Sequence, residues 1–193
     1  MPRPRTVDDD AILSVVTLII EQEGPAAVTF TRIAHEVGLS SATLVQRFGT
    51  KRKLLLATTI RGWNSLLETF ARERTNASPL ETLIGNLTDL TATARTREAI
   101  ANGIAFLHID LSDEEFHRHA LVGANEWRDE IERLLKEAVA KGELEQTDTQ
   151  RLAAAVLSTY NGALITWAML GEGSVQDWLR SQMEFLLQSF KPH

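Results

Sequence analysis

The side chains with the most specific binding chemistry in this 193-residue chain lie between Ser41 and Lys51. The carboxamide of Gln46 can pair bidentately with the edge of adenine, and the guanidinium of Arg47 can pair with guanine or with a phosphate. The residues just before them are small or polar, so no bulky group holds this stretch away from a groove floor. These residue types and spacings predict recognition of base edges and phosphates in double-stranded DNA.

Two short helices separated by Gly38-Leu39-Ser40 must position these side chains. Thr29 and Ser40 are N-cap residues in type, and Gly38 supplies the left-handed residue that ends the first helix. Gly49 ends the second helix, and Thr50 can cap a third helix that begins with the basic run Lys51–Lys53. A phosphate at the start of this third helix would meet free backbone N–H groups as well as positive charge. Two short helices across a tight glycine turn are a helix-turn-helix, which projects its second helix outward.

The run from Val28 to Leu55 resembles the N-terminal region of the tetracycline repressor (TetR) family, including Thr29-Phe30-Thr31-Arg32-Ile33-Ala34 and Gly38-Leu39-Ser40. Val45 and Gln46 follow Thr43-Leu44 where that family commonly has aromatic residues. The resemblance covers about residues 8–56 and implies a homodimeric DNA-binding regulator with a ligand-binding body. The residues predicted to contact DNA are Thr29, Thr31, Arg32, Ser41, Ala42, Thr43, Gln46, Arg47 and Lys51.

Composition favours a soluble, cytoplasmic protein. Hydrophobic residues make up 44 % of the chain, cysteine is absent, and the longest nearly apolar run, Ala11–Ile20, is too short to span a bilayer. The net charge of −6 is unevenly distributed, because residues 1–53 carry +1 and residues 54–193 carry −7. Arg3 and Arg5 add to the basic end on an N-terminal arm. A basic end on an acidic body focuses the electrostatic field where DNA would bind.

The sequence pattern of the remaining residues predicts only helices. Start signals recur at Ser78-Pro79, Ser112–Glu115 and Thr147–Gln150, and no alternating strand pattern is present. The predicted helices cover about residues 9–23, 50–74, 79–94, 97–108, 113–141, 148–170 and 175–190. The fold class is therefore all-α with about nine helices: a three-helix helix-turn-helix domain over residues 1–52, then a helical effector-binding and dimerisation domain over residues 53–193.

The last two helices are predicted to form a homodimer interface. A row of small residues at four-residue spacing lets another helix approach closely, and the final helix is apolar on more than one side. An ordinary hairpin packed inside one protomer is the alternative. The predicted interface residues are Ala154, Ser158, Gly162, Thr166, Leu179, Met183 and Leu186.

The densest titratable cluster, His108–His119, gives the main alternative chemistry. Glu114 and His117 have the i, i+3 spacing of di-iron bundles, but such sites need a second copy of the motif, which the sequence lacks. Helix capping also accounts for the acids. No cofactor, metal site or enzyme activity is predicted, although a metal-dependent helical enzyme using this cluster stays an alternative.

A pocket for a small apolar or amphipathic effector is predicted in the body, largely from the family resemblance. Large aromatic residues would line it and a few polar groups would orient the ligand. These candidates are Trp63, Phe70, Asn102, Phe106, His108, Trp127, Tyr160, Asn161 and Trp167. The leading hypothesis is a homodimeric repressor that a small effector releases from a palindromic operator; a helical protein-interaction module without specific DNA binding is the second.

Overall fold

The computed structural model describes residues 7–72, 74, 77–92 and 94–192, so Arg3 and Arg5 lie outside the described residues. Within those ranges the chain forms nine α-helices and a short 3-10 helix, Pro25–Ala27, and no strand. The prediction of an all-α fold is confirmed. The helices are α1 (Asp9–Glu23), α2 (Phe30–Val37), α3 (Ser41–Phe48), α4 (Lys51–Phe70), α5 (Pro79–Asp89), α6 (Arg97–Ser112), α7 (Glu114–Ala140), α8 (Thr149–Leu170) and α9 (Val175–Gln188).

Side-chain caps explain where most helices begin. Thr29, Ser40 and Ser78 each accept a hydrogen bond from the backbone N–H three residues ahead, as their residue types predicted. Two caps differ from the prediction by one residue: Asp113 caps α7 in place of Ser112, and Asp148 caps α8 in place of Thr147. A carboxylate is the stronger acceptor there, because it also interacts favourably with the helix dipole.

The helices α4 and α5 end about four and five residues earlier than predicted, for reasons that involve side chains. The helix α4 ends at Phe70, and the guanidinium of Arg74 turns to bind Asn86 and Asp89 of α5. The helix α5 ends at Asp89, where the hydroxyl of Thr91 donates to the backbone carbonyl of Thr88. Such a local bond competes with continuation of the helix.

The chain divides into two compact units. The N-terminal unit comprises the residues up to Gly62 together with Ala101–Ala120, and the C-terminal unit comprises Trp63–Ile100 and the residues from Leu121 onward. These units do not coincide with the predicted boundary between residues 52 and 53. Most of α6, which is distant from the helix-turn-helix in sequence, belongs to the same unit as the helix-turn-helix.

Each unit has its own hydrophobic core. In the N-terminal unit, α1 supplies Ile12 and Val16, and the helix-turn-helix adds Ile33 and Leu44. The C-terminal core is larger and is built around the inward face of α7, with contributions from α4, α5, α8 and α9. Its fully buried members include Phe70, Leu83, Leu87, Ile131, Leu135 and Leu144.

Among the described residues, one helix, α8, is long and apolar enough to cross a bilayer by length and composition, with a mean hydropathy of 1.3 over an 18-residue window. Only 33 % of that window is buried in the protomer. A single such helix is weak evidence for a membrane span, because core helices of soluble proteins meet the same criterion.

Candidate DNA-binding surface

The helices α2 and α3 form the predicted helix-turn-helix. Gly38 has φ 69°, in the left-handed region, and its amide closes the end of α2 on the carbonyl of Ala34. Ile33 and Leu44 are both 0 % exposed, which fixes the inner faces of the two helices in the core of the N-terminal unit. The outer face of α3 is left at the surface.

The outer face of α3 presents Ala42, Val45 and Gln46. Val45 is 46 % exposed, and Gln46 is exposed and makes no side-chain hydrogen bond within the described part of the chain. Of the neighbouring candidates, Ser41 and Thr43 are half-buried, and the hydroxyl of Thr43 lies 2.8 Å from that of the cap residue Ser40. The structure therefore leaves the middle of α3 available for contact and uses part of its start for capping.

Most of the predicted cationic contacts already have partners inside the N-terminal unit. Arg32 forms ion pairs with Glu23 and Glu36, each at 3.1 Å. Arg47, whose side chain is only 26 % exposed, donates to the backbone carbonyl of Val7 at 2.5 Å and lies 3.4 Å from Asp9.

Lys51 is likewise engaged, because its Nζ donates to the backbone carbonyl of Ala26 at 3.1 Å. Thr29 and Thr31 are exposed, although the hydroxyl of Thr29 also serves as the α2 cap. Of the nine predicted DNA contacts, Gln46, Ala42 and Thr31 are exposed and have no other structural duty among the described contacts.

Of the three cations in the basic run at the start of α4, Lys51 and Arg52 have partners among the described residues and Lys53 has none. Arg52 donates to Asp113 at 2.7 Å and to Glu115, and its guanidinium lies 5.5 Å from the ring centroid of Phe116. The side-chain hydrogen bond from Arg52 lowers the pKa of Asp113. Lys53 is exposed, and its ammonium makes no ion pair with any described residue. Within the described part of the chain, Lys53 is thus a cation next to α3 without an ion-pair partner.

Further polar bonds hold α6 in the N-terminal unit. Asn102 donates to the carbonyl of Glu21 at the end of α1, at 3.0 Å, and Thr59 donates to Asp110 at 2.9 Å. Asp110 is buried, and burial raises its pKa while the bond from Thr59 acts in the opposite direction. Asn102 was predicted to orient a ligand. In the structure its side-chain amide instead donates to the end of α1, which gives this polar side chain a structural role.

The two other α6 candidates for the effector pocket are also placed elsewhere. Phe106 packs against the core of the N-terminal unit, and His108 is exposed. The His108–His119 cluster does not converge either: Asp113 binds Arg52, and Glu114, His117 and His119 are exposed. No group of three His, Asp or Glu side chains within the described ranges could hold a metal ion.

Four of the predicted pocket aromatics do meet, in the C-terminal unit. The ring of Trp127 lies 6.4 Å from that of Trp63, 5.9 Å from that of Phe70 and 5.2 Å from that of Tyr160, measured between centroids. Burial raises the pKa of Tyr160, and the indole N–H of Trp127 is buried without a hydrogen-bond partner among the described residues. A buried donor without a partner is rare and marks a place where an acceptor could be added.

The close packing of this aromatic cluster depends on Gly123. A methyl group at Gly123 would collide with the indole of Trp63. The two remaining candidates do not join the cluster. Trp167 is buried beside Ile100 and Val175 and donates to the carbonyl of Gly173, and Asn161 is exposed on α8.

The predicted interface row on α8 lies at the surface. Its four small residues, Ala154, Ser158, Gly162 and Thr166, are all exposed. Among the large apolar residues that were not predicted as interface residues, Ile165 is 46 % exposed, Met169 81 % and Phe185 80 %.

The prediction was wrong for two residues of α9. Leu179 and Met183 are 0 % exposed because they face the core of their own unit, and Leu186 is half-buried against it. The helix α9 has two apolar sides, and helical spacing does not indicate which of them faces the core. The prediction placed the inward side at the interface. Phe185, two residues beyond Met183, lies on the outward side.

A helix-turn-helix with an exposed second helix, followed by a helical body, defines a DNA-binding regulator of the helix-turn-helix class. Two family models match the chain: that of bacterial regulatory proteins of the tetR family over residues 12–58, and that of the tetracyclin repressor-like C-terminal domain over residues 104–183. The chain belongs to the TetR family of transcriptional regulators, as the sequence resemblance predicted.

Solved structures share this fold. A TetR regulator from Legionella pneumophila has a TM-score of 0.75 at 16 % identity, covering 98 % of this chain and 100 % of that one. A TetR-family regulator from Agrobacterium tumefaciens has a TM-score of 0.75 at 19 % identity, covering 95 % of this chain and 97 % of that one. The regulator FadR from Bacillus subtilis, solved in complex with stearoyl-CoA, has a TM-score of 0.65 at 18 % identity, covering 93 % of this chain and 97 % of that one. No curated protein matches this chain.

Proposed function

We propose that the protein is a sequence-specific repressor that binds a palindromic operator as a homodimer and loses affinity when a small effector binds its C-terminal unit. The observation that carries the DNA-binding part is the outer face of α3, where Ala42, Val45 and Gln46 are exposed and Gln46 has no partner among the described residues. A protein with this task acts in the cytoplasm, where the chromosome of a bacterium lies.

The chemistry of that face suits the DNA major groove. The carboxamide of Gln46 can pair with N6 and N7 of adenine, and the methyl groups of Ala42 and Val45 can contact the methyl group of thymine. The start of α4 adds backbone N–H groups and the free ammonium of Lys53, which together favour a phosphate. Thr29, Thr31 and Thr43 supply hydroxyls for further backbone contacts.

Arg32, Arg47 and Lys51 keep a supporting role in this proposal. Arg47 and Lys51 each donate to a backbone carbonyl, so they still carry charge that attracts phosphates at longer range. Arg32 is the weakest of the three candidates, since two carboxylates already neutralise it.

Selection from random-sequence DNA tests this function. We expect a palindromic consensus, and we expect Gln46→Ala to relax the preference at one position of each half-site at a cost of about 1–3 kcal/mol. Gln22→Ala is the matched control, because Gln22 is an exposed glutamine on α1. Binding without any consensus, or an equal effect of both variants, would refute the assignment of α3.

The homodimer in this proposal uses the exposed face of α8 with Phe185 of α9. Four small residues in a row allow a second helix to approach closely, and Ile165, Met169 and Phe185 supply apolar area around them. Two-fold symmetry would then present two copies of α3 to the two halves of an operator.

The effector in this proposal binds at the aromatic cluster of Trp63, Phe70, Trp127 and Tyr160. Support comes from the orphaned N–H of Trp127 and from the FadR structure, which was solved with stearoyl-CoA. Because α4 contributes residues to both units, a ligand that displaces Trp63 and Phe70 would shift the start of α4 and hence α3. A difference of about 3 kcal/mol in effector affinity between two conformations changes operator affinity more than a hundredfold.

Two other functions predict different experimental results. A protein-interaction module is favoured by the internal pairing of Arg32, Arg47, Lys51 and Arg52, and selection of a palindromic DNA consensus would exclude it. A metal-dependent enzyme using Glu114 and His117 would show stoichiometric metal in the purified protein and an activity lost in His117→Ala.

A further inference from the structure

A cationic pocket lies in the C-terminal unit at the end of α4, the start of α5 and the last turns of α7. Its volume is about 290 Å³. Among the described residues, four cationic side chains and one carboxylate line it: Arg72, Arg74, Arg133, Lys141 and Glu137. The C-terminal unit as a whole has 11 Lys and Arg against 16 Asp and Glu, so this grouping of positive charge opposes the average composition.

Arg74 is held in a fixed place by two hydrogen-bonding neighbours, and a glycine leaves room for its guanidinium. Its Nε donates to Oδ1 of Asn86 at 2.9 Å, and its Nη2 pairs with Asp89. Asn86 is 1 % exposed and donates to the carbonyl of Phe70 at 3.4 Å, which fixes the acceptor. Gly85 makes the approach possible, because a Cβ there would lie 2.5 Å from Cζ and 2.7 Å from Nη1 of Arg74.

This arrangement leaves donors of the pocket unused. No described hydrogen bond involves Nη1 of Arg74, and the side chains of Arg72 and Lys141 make neither a hydrogen bond nor an ion pair within the described ranges. Arg133 is different, since its Nε binds Glu130 at 2.9 Å and its Nη1 binds Glu137 at 2.6 Å. Two unpaired cations and one preorganised guanidinium nitrogen therefore border the same cavity.

Cations in the last turn of a helix also neutralise the negative end of its dipole, which gives Lys141 a structural role. That role does not require a glycine to admit a guanidinium, nor a buried asparagine to orient it. It also does not require cations from two separate helix ends to border one cavity. The preorganisation of Arg74 is what a binding site needs, since the ordering cost is met in the folded protein.

We propose that this pocket binds a small organic dianion, either a phosphate ester or a dicarboxylate. Guanidinium and ammonium groups form charge-assisted hydrogen bonds with both kinds of oxyanion, and arginine suits them in particular because its donors match two oxygens at once. The cavity has the volume of about ten water molecules, which accommodates one charged group with a few carbon atoms. This site is separate from the aromatic cluster, and the inference does not rest on DNA binding.

The test uses the full-length protein and three probes at constant ionic strength: glycerol 3-phosphate, succinate and glycerol. Apparent Kd values come from the shift of the thermal unfolding midpoint with probe concentration. We expect one or both dianions to raise the midpoint saturably, and glycerol to leave it unchanged. Binding of glycerol 3-phosphate alone identifies the site as one for phosphate esters, and binding of succinate alone identifies it as one for dicarboxylates.

The variant Arg72→Gln/Lys141→Gln removes the two unpaired cations, both exposed, so the fold should persist. We expect its Kd for the dianion to rise by about tenfold or more, because two charge-assisted contacts are lost. The control Lys136→Gln/Arg151→Gln makes the same change in net charge at exposed positions outside the pocket. A Kd within about twofold of the wild-type value is expected for the control.

A second variant, Gly85→Ala, changes no charge but displaces Arg74, and it should also weaken binding of the dianion. Circular dichroism establishes whether this variant is folded. Two results would overturn the proposal: neither dianion binds the wild-type protein, or the control double variant loses as much affinity as Arg72→Gln/Lys141→Gln.

Discussion

The candidate DNA surface of the N-terminal unit and the candidate dimer surface on α8 were predicted from different kinds of residue. The first prediction relied in part on long cationic side chains, and the structure shows Arg32, Arg47 and Lys51 each bound to a carboxylate or a carbonyl of the same unit. The second used short side chains at helical spacing, and Ala154, Ser158, Gly162 and Thr166 are all exposed.

The difference reflects the reach of the side chains. A residue with a short side chain stays on the helix face that its position dictates, so the period of an α-helix predicts its exposure. Arginine and lysine have several rotatable bonds and can turn to any acceptor within several ångströms, so their partners depend on tertiary structure. Charge near a motif is therefore weaker evidence for a free surface than a helical row of small residues.

The largest effect is expected on the α8 surface. Gly162→Glu places a carboxylate in the row, where a Cβ meets no atom within 4 Å in the protomer, so the monomer should fold normally. In a dimer the charge would be buried without a partner, at a cost of about 3–5 kcal/mol, which raises the dimer Kd by more than a hundredfold. Sedimentation equilibrium measures this change.

Gly103→Glu is the matched control for that variant, because Gly103 is an exposed helical glycine whose Cβ would also meet no atom within 4 Å. The control should have the dimer Kd of the wild-type protein. An unchanged assembly state of Gly162→Glu would mean that the α8 surface is not the dimer interface.

The next largest effect is expected in the interior of the C-terminal unit. There Gly123 is small because the indole of Trp63 packs against it, whereas the small residues of α8 lie at the surface. Gly123→Ala should reduce the free energy of unfolding by about 1–3 kcal/mol, because the new methyl group forces the indole of Trp63 to move. Urea titration followed by tryptophan fluorescence measures it. Gly103→Ala should instead be neutral or slightly stabilising, since alanine favours a helix over glycine; equal responses of the two variants would contradict the packing argument.

A smaller effect should separate the two neighbouring cations at the start of α4. Lys53→Met should weaken DNA binding and reduce the slope of log Kd against log salt by about 1, because one phosphate contact is lost. Arg52→Met should leave that slope unchanged and lower the thermal midpoint, because its guanidinium binds Asp113 and Glu115. Fluorescence anisotropy at several salt concentrations measures the slope, and the opposite pattern would show that Arg52 is the DNA ligand.

The smallest effect is expected at Asp110, whose pKa is raised by burial. A raised folded-state pKa means that the folded state holds its proton to higher pH than the unfolded state, so stability falls as the pH rises through that interval and stays lower at neutral pH. Asp110→Asn keeps an acceptor for Thr59 and removes the charge. Its thermal midpoint should exceed that of the wild-type protein at pH 7, and the difference should shrink towards pH 4. A lower midpoint at pH 7 would mean that the carboxylate is needed in its charged form.

Much of the fold followed from local signals. Thr29, Ser40, Gly38 and Ser78 begin or end helices where their residue types predicted. The long-range contacts had no such signal. Nothing in the sequence near Arg52 indicates Asp113, which is 61 residues away. Likewise, Asn102 has the type of a ligand-orienting residue, and only its contact with the carbonyl of Glu21 identifies it as part of a helix end.

The sequence by itself determined the helices, the turn at Gly38, the exposed row on α8 and membership in the TetR family, because capping, backbone conformation and helical period act within a few residues. Only the tertiary structure decided which of the two apolar sides of α9 is buried, which cations have partners, and that α6 belongs with the helix-turn-helix. Those outcomes depend on which distant side chains meet, and a pairing energy between residues far apart in the chain leaves no local pattern.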